Sequence, residues 1–109
     1  MNNEYSVITA TFPDRESAKK TAKLLIERKL AACVQMFPID SVYSWKGEVC
    51  DDSEIMLFIK SKTGLFDEIS TAIKEIHSYE VPEIIQIPIT DGLPEYLKWI
   101  GDSTEGEER

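Results

Sequence analysis

The segment His77–Ile89 (HSYEVPEIIQIPI) contains the only histidine of this chain and several oxygen-bearing side chains close behind it. Tyr79, Glu80 and Glu83 all follow within six residues. Imidazole is the commonest metal ligand in proteins, and carboxylates add oxygen ligands for divalent ions. The spacing therefore offers His77 as a candidate metal ligand, with the neighbouring oxygens able to complete a site.

A second interpretation of His77 comes from its place at the end of a predicted helix. There an imidazole can serve the exposed carbonyl groups and the negative end of the helix dipole. Val81 precedes a proline and is expected to be extended, so the side chains on either side of Pro82 need not converge. The two interpretations stay open: a helix cap, or a ligand in a weak site that a neighbouring subunit completes.

The two cysteines, Cys33 and Cys50, are the remaining candidate metal ligands. They are too few for a disulfide framework and too far apart for a CxxC motif. Cys33 lies in an apolar stretch, where a small buried hydrophobe is the alternative interpretation. Cys50 is followed by two aspartates, which disfavour its thiolate unless a metal binds. Copper(I) prefers such soft ligands, and the thioethers of Met36 and Met56 belong to the same group.

Three aromatic residues and one lysine are candidates to line a binding cleft. Tyr43, Trp45 and Trp99 are interpreted either as packing residues or as contacts for a ligand. Lys60 interrupts an apolar strand, so it is either solvated at the strand end or paired with a carboxylate across an interface. Glu48 and Glu83 are the candidates for that pairing.

Composition narrows the classes of function. The 109 residues carry a net charge of −8, with 42% apolar and 29% charged residues. This is ordinary for a globular domain, and the acidic balance argues against a nucleic acid partner. The apolar runs are far shorter than a membrane span, so no membrane association is expected. The first four residues do not resemble a signal peptide, and we expect a cytoplasmic protein.

The pattern of apolar and turn residues predicts strands and helices in alternation. Thr63 is the expected cap of the second helix, and Lys46-Gly47 the turn of a tight hairpin. Asp14 is the expected cap of a first helix ending near Lys29-Leu30. The predicted strands and extended segments are residues 5–12, 31–37 (up to Pro38), 41–49, 55–61 and 84–90, and a short last helix starts at Pro94.

This order predicts an α+β, ferredoxin-like (βαβ-βαβ) sandwich with a long β-hairpin and a short C-terminal helix. The strand order would be 4-1-3-2, with Pro38 and Pro88 in or beside edge strands, where a missing N–H is tolerated. Residues 1–101 would form the single domain, and residues 102–109 an acidic frayed tail.

Apolar residues on both faces of the predicted strands indicate further packing. Ile55, Leu57 and Ile59 alternate with Met56 and Phe58, yet two helices cover only one face of such a sheet. An uncovered apolar face calls for another subunit, so we expect a homo-oligomer.

The chain resembles the CutA divalent-cation tolerance proteins over nearly its whole length. The similarity lies in five segments that occur in the same order: Glu27–Val34 (ERKLAACV), Val42–Val49 (VYSWKGEV), Ser53–Ser61 (SEIMLFIKS), His77–Ile85 (HSYEVPEII) and Tyr96–Ile100 (YLKWI). The resemblance implies a homotrimer linked to tolerance of copper and other divalent ions. It also implies a cleft between subunits, lined by residues matching Trp45, Lys60, His77, Tyr79 and Glu83.

Two positions depart from the pattern of that family. Ser78 stands where the histidine loop usually has proline, which loosens the loop slightly. Ala10 stands where some members carry a cysteine implicated in copper binding, so a thiolate site built on that residue is excluded here.

The leading prediction is therefore a trimeric protein that binds metal ions or a small ligand and is not an enzyme. A metallochaperone of this fold would need a CxxC loop. An acylphosphatase would need a catalytic asparagine, and the only asparagines are Asn2 and Asn3. The alternatives that remain are a trimeric scaffold and a nucleotide or small-molecule sensor like the PII proteins, the latter by analogy of fold alone.

Overall fold

The computed structural model of the protein describes residues 4–106. A four-stranded sheet is combined with three α-helices. The strands are β1 (Tyr5–Phe12), β2 (Cys33–Trp45), β3 (Glu48–Lys62) and β4 (Ile84–Pro88), and the helices are α1 (Arg15–Glu27), α2 (Phe66–Ile76) and α3 (Pro94–Ser103). A short 3₁₀ helix, Thr63–Leu65, precedes α2.

The sheet has the order β2-β3-β1-β4, which is the predicted order, and all three pairings are antiparallel. β1 lies in the centre, with Thr9 opposite Phe58 of β3 on one side and Ile85 of β4 on the other. β2 and β4 form the two edges, as expected from their prolines.

The hydrophobic core lies between the sheet and the helices α1 and α2. Side chains alternate along each strand, so every second residue points to the same face. Ile8 and Ala10 of β1, with Leu57 of β3, are fully buried against Leu25 of α1 and Ile69 of α2. Ala10 is thus a core residue.

The opposite side of the sheet is called here the open face. It carries a set of apolar side chains that α1 and α2 do not cover: Phe37, Met56, Phe58, Ile85 and Ile87. The rings of Phe37 and Phe58 meet edge to face at 5.2 Å. Ile85 and Ile87 keep about half of their surface exposed, at 50% and 48%. The helix α3 packs at one end of this face, where Gly101 lies against the hydroxyl of Tyr5.

The first helix begins as predicted and ends slightly earlier. The carboxylate of Asp14 accepts a hydrogen bond from the backbone N–H of Ser17 at 2.8 Å and caps the N-terminus. At the other end Lys29 has φ of 57°, and Leu30 N–H bonds to Leu25 C=O. This is the Schellman arrangement, with lysine in the left-handed position that glycine usually takes, and it ends the helix at Glu27.

The hairpin of β2 and β3 is longer than the sequence suggested. β2 runs through Pro38 because its outer edge has no neighbouring strand, within the described residues, that would need the missing N–H. Lys46 and Gly47 form the predicted two-residue turn, with φ values of 50° and 80°. Two positive φ values in succession are those of a type I′ turn, whose twist matches the flanking strands.

Two predicted boundaries are corrected. Thr63 does not cap α2: its hydroxyl bonds to that of Ser6 at 2.6 Å, and the helix follows after the 3₁₀ turn. The tail was expected to begin at residue 102, but α3 continues to Ser103, and Thr104 is fully buried with its hydroxyl bonded to Ile100 C=O. The part of the predicted tail at 107–109 lies outside the described residues.

Candidate functional site

His77 lies directly after α2, and its imidazole is in contact with two aromatic rings. The Phe12 ring centroid is 4.5 Å away, and that of Tyr79 is 4.6 Å away. The backbone N–H of Tyr79 lies 3.1 Å from Nδ1, and the carbonyl oxygen of Thr11 lies 2.6 Å from Nε2.

These two hydrogen bonds fix the protonation pattern of the ring. A backbone N–H can only donate, so Nδ1 of His77 must accept, and Nε2 must carry the proton that it donates to Thr11 C=O. Neither nitrogen then keeps a free lone pair for a metal ion. The side chain also does not serve the carbonyls of α2: only the His77 backbone N–H does, to Ile73 C=O at 2.9 Å. The imidazole instead holds the segment after α2 against the end of β1.

Tyr79 continues this chain of contacts to a buried acid. Its hydroxyl donates to Oε2 of Glu54 at 2.8 Å, and Glu54 is only 7% exposed. Burial, and then the bond to this carboxylate, raise the pKa of Tyr79 well above its usual value. Nearby, the hydroxyl of Thr9 lies 3.4 Å from Oε2 of Glu83. The phenol and the two acids thus come together from β3 and from the loop before β4.

A groove of about 910 Å³ runs between β2 and this loop. This volume is in the range of small-molecule sites. We call it the acidic groove, because four of its lining residues are acids and, among the described residues, none is lysine or arginine. Its lining residues are Thr11, Asp40, Ser41, Val42, Tyr43, Ser44, Trp45, Glu54, Ser78, Tyr79, Glu80, Val81, Pro82 and Glu83.

The hairpin side of the acidic groove is built from aromatic residues. The Tyr43 hydroxyl donates a short hydrogen bond to Asp52, and this bond raises the pKa of Tyr43 to about 12. Trp45 lies beside it, with the ammonium of Lys46 5.7 Å from its ring centroid. The same ammonium lies 4.0 Å from Glu80, so an ion pair bridges the hairpin and the loop at the rim.

Four of the six predicted cleft residues line the acidic groove, and two do not. Tyr43, Trp45, Tyr79 and Glu83 line it. Lys60 instead lies at the other end of the open face, with Nζ 3.4 Å from the hydroxyl of Tyr96.

Trp99 is the second cleft residue that lies elsewhere, because α3 carries it to the Lys60 end, where its ring is 5.5 Å from that of Tyr96. Within one chain the neighbour of the Lys60 ammonium is the Tyr96 hydroxyl of α3, and the pairing of Lys60 with Glu48 or Glu83 across a subunit interface stays a prediction.

The structure does not bring the three predicted metal ligands together. Cys33 pairs with Lys60 and Cys50 with Tyr43, so the thiols lie ten residues apart along β3, roughly 30 Å. Both cysteines are free and partly buried. Within residues 4–106 no group of three histidine, cysteine or acidic side chains could hold a metal ion.

Glu54 was not among the site residues predicted from the sequence. Its signal was available, because it begins the alternating run of β3 in phase with Met56 and Phe58, and so lies on the open face. Its partner Tyr79 is 25 residues away, and nothing in the local sequence indicates that contact.

Comparison with known proteins gives one consistent family. Residues 6–103 match the model of the CutA1 divalent ion tolerance protein family. The divalent-cation tolerance protein CutA of Thermus thermophilus is 42% identical over 99 residues, which is 90% of this chain and 96% of that protein. The chloroplastic protein CutA of Arabidopsis thaliana is 44% identical over 90% of this chain, which spans 54% of that longer protein.

Solved structures agree in fold. The periplasmic divalent cation tolerance protein CutA of Archaeoglobus fulgidus superposes with a TM-score of 0.91 at 40% identity, covering 93% of this chain and 99% of that one. The protein from Thermus thermophilus gives 0.90 at 41% identity, with coverage of 93% and 99%.

Proposed function

Because the chain belongs to the CutA1 divalent ion tolerance family, we propose that it acts as a homotrimer in tolerance of divalent metal ions, copper among them. In this proposal the acidic groove lies at a contact between subunits and binds a metal ion or a small ligand. The protein is a binding protein and not an enzyme. Its only imidazole supports that view, because both nitrogens of His77 are bonded to backbone groups and hold the segment after α2 against β1.

The proposal rests mainly on Glu54, Tyr79 and Glu83, which all line one concave site. Carboxylate and phenol oxygens suit hard and intermediate divalent ions. The site is short of ligands within one chain, since no group of three ligating side chains occurs in residues 4–106. An ion held there needs further ligands from a second copy, which ties metal binding to assembly.

The open face supports the trimer. Phe37, Ile85 and Ile87 stay between 38% and 50% exposed on one side of the sheet. A contiguous apolar surface of this kind marks a protein interface more often than a free surface. Burial of this face between copies would also bring the acidic groove of one chain near residues of the next.

We also propose a cytoplasmic location. Both cysteines are free thiols, as is usual in a reducing compartment. Relatives named chloroplastic and periplasmic show that the family occurs in more than one compartment. None of the helices in residues 4–106 is long and apolar enough to cross a membrane.

A small-molecule sensor is the second candidate, and one observation favours it. Tyr43, Trp45 and Tyr79 give the acidic groove aromatic surfaces, which a bare ion would not use. The four acids and the lack of a basic residue in the described lining disfavour a nucleotide phosphate. A pure scaffold, the remaining alternative, would leave the groove without any ligand.

Calorimetric titration of the full chain with Zn²⁺ and Cu²⁺ tests the proposal. We expect the parent protein to bind these ions. The affinity should fall at least about tenfold in Glu83→Gln, because a charged ligand is replaced by a neutral amide of the same shape. Glu75→Gln, an exposed acid on α2, is the matched control and should bind as the parent does. Equal affinity in all three proteins would contradict metal binding in the groove.

A further inference from the structure

We infer that the acidic groove recognises an organic ammonium ion carried on an aliphatic stem. The inference deepens the proposed function and rests on it in taking this groove as the ligand site. Three features support it. The carboxylate of Glu54 is buried without a cationic partner among the described residues, aromatic side chains line the groove, and the ammonium group of Lys46 lies at its rim.

The buried carboxylate is Glu54, whose side chain is more than nine-tenths buried in the wall of the groove. Among the described residues, its hydrogen-bond partner is the Tyr79 hydroxyl. Within residues 4–106 no lysine, arginine or histidine lies within ion-pair distance of it. The Tyr79 hydroxyl fills only one of the roughly four acceptor positions of a carboxylate, so Glu54 keeps acceptor positions for a further donor. The groove therefore favours a cation placed against Glu54.

The lining determines which kind of cation fits. Asp40, Glu80 and Glu83 add three more carboxylates, while Tyr43 and Trp45 provide aromatic surfaces. Carboxylates accept the N–H groups of an ammonium, and aromatic faces attract the same cation through their quadrupoles. Val42, Val81 and Pro82 give the apolar surface that an aliphatic stem requires.

Lys46 shows the same recognition within the chain. Its ammonium lies 5.7 Å from the Trp45 ring centroid and 4.0 Å from Glu80 Oε1, at the rim of the groove. The side chain is 71% exposed, so packing does not force it into this place. An alkyl ammonium at the rim thus lies near both an indole and a carboxylate.

A bare metal ion uses these features less well. It needs several ligands at short distance, and the described residues do not offer three together. An ammonium needs only one or two acceptors and gains from aromatic contact. The lining of the groove in one chain therefore suits an ammonium better than a bare metal ion.

The test is calorimetric titration of the full chain with putrescine, a linear diamine, and with butanediol, its neutral counterpart of equal chain length. We expect putrescine to bind at least about tenfold more tightly than the diol. The variants Glu54→Gln and Glu83→Gln should each lower the affinity for putrescine at least about tenfold, because each loses one charge-assisted hydrogen bond. Glu75→Gln, outside the groove, should bind as the parent does. Glu83 is exposed, so its variant keeps the test valid if Glu54→Gln does not fold.

Two results would overturn the inference. The first is equal binding of diamine and diol, and the second is an affinity for putrescine that neither groove variant changes. If the parent protein binds putrescine but takes up no metal ion, only the proposed metal function is contradicted. Failure of the inference can therefore be distinguished from failure of the proposed function.

Discussion

The backbone N–H of Tyr79 donates to Nδ1 of His77, two residues earlier, at 3.1 Å, and their rings lie 4.6 Å apart. The imidazole of His77 also donates a hydrogen bond to Thr11 C=O in β1, and the hydroxyl of Tyr79 donates one to Glu54. The histidine therefore positions one wall of the acidic groove and does not itself offer a ligand atom to it.

His77→Ala should lower the free energy of unfolding by about 1–3 kcal/mol, because it leaves Thr11 C=O and Tyr79 N–H without their side-chain partner. Urea unfolding at a fixed protein concentration measures the change, since assembly would make stability depend on concentration. Ser78→Ala changes the next residue and should have little effect. An unchanged urea midpoint in His77→Ala would show that the two hydrogen bonds do not support the fold.

Tyr43 should ionise with a pKa of about 12, because its hydroxyl is bonded to the Asp52 carboxylate and loss of the phenol proton would place two negative charges together. Absorbance of tyrosinate during alkaline titration measures this. Asp52→Asn should return the pKa of Tyr43 toward the ordinary value of 10.0. A titration curve that is the same with and without Asp52 would refute the contact.

The same raised pKa makes a contribution to stability with a definite sign. The folded state holds the Tyr43 proton more tightly than the unfolded state, so the contribution is complete below pH 10.0 and is lost as the pH rises toward the folded pKa of about 12. The fall in stability over this range should be shallower in Asp52→Asn.

Asp14→Ala should lower the thermal midpoint by a few degrees, since it removes the cap of α1, whereas Asp14→Asn keeps an accepting oxygen and should retain most of the stability. The hydrogen bond from Ser17 N–H lowers the pKa of Asp14. Its contribution is therefore present above the ordinary value of 3.8 and is lost as the pH falls through the lowered pKa. Melting curves of both variants at neutral and acid pH provide the check; equal midpoints for the alanine and asparagine variants would contradict the cap.

Ile87→Asp should convert the proposed trimer to monomer, because a carboxylate would be placed in the apolar open face. Light scattering coupled to size exclusion measures the mass. Ile26→Asp is the matched control, since Ile26 is similarly exposed at 42% but lies on α1, away from the open face. A trimer that survives Ile87→Asp would place the interface elsewhere.

Local patterns were sufficient to predict most of the fold. The 3.6-residue period of α2 and the two turn residues Lys46-Gly47 act within a few positions, so they can be read from the sequence alone. The start of α2 was missed because Ser6, 57 residues away, binds the hydroxyl of Thr63. The length of β2 was not predicted because Pro38 lacks an N–H and therefore indicates the end of a strand. Only the position of β2 at the edge of the sheet, which the local sequence does not show, makes this proline compatible with a continuous strand.

The site was less predictable than the fold for the same reason. Tyr79 and Glu83 were found because they lie near His77 in the sequence. The partners that define their roles are distant: Thr11 is 66 residues from His77, and Glu54 is 25 from Tyr79. Within one chain Lys60 of β3 and Trp99 of α3 lie at the other end of the open face, so their place in a cleft between subunits stays a prediction.

We propose that an assembly of three chains binds its ligand at the acidic groove. Native mass spectrometry tests this most directly, with the full chain measured alone and during titration with Cu²⁺ and Zn²⁺. We expect a trimer that takes up ions in a fixed ratio to subunits, with uptake reduced in Glu83→Gln and unchanged in Glu75→Gln. A monomer, or a trimer that stays free of metal at modest excess, would contradict it.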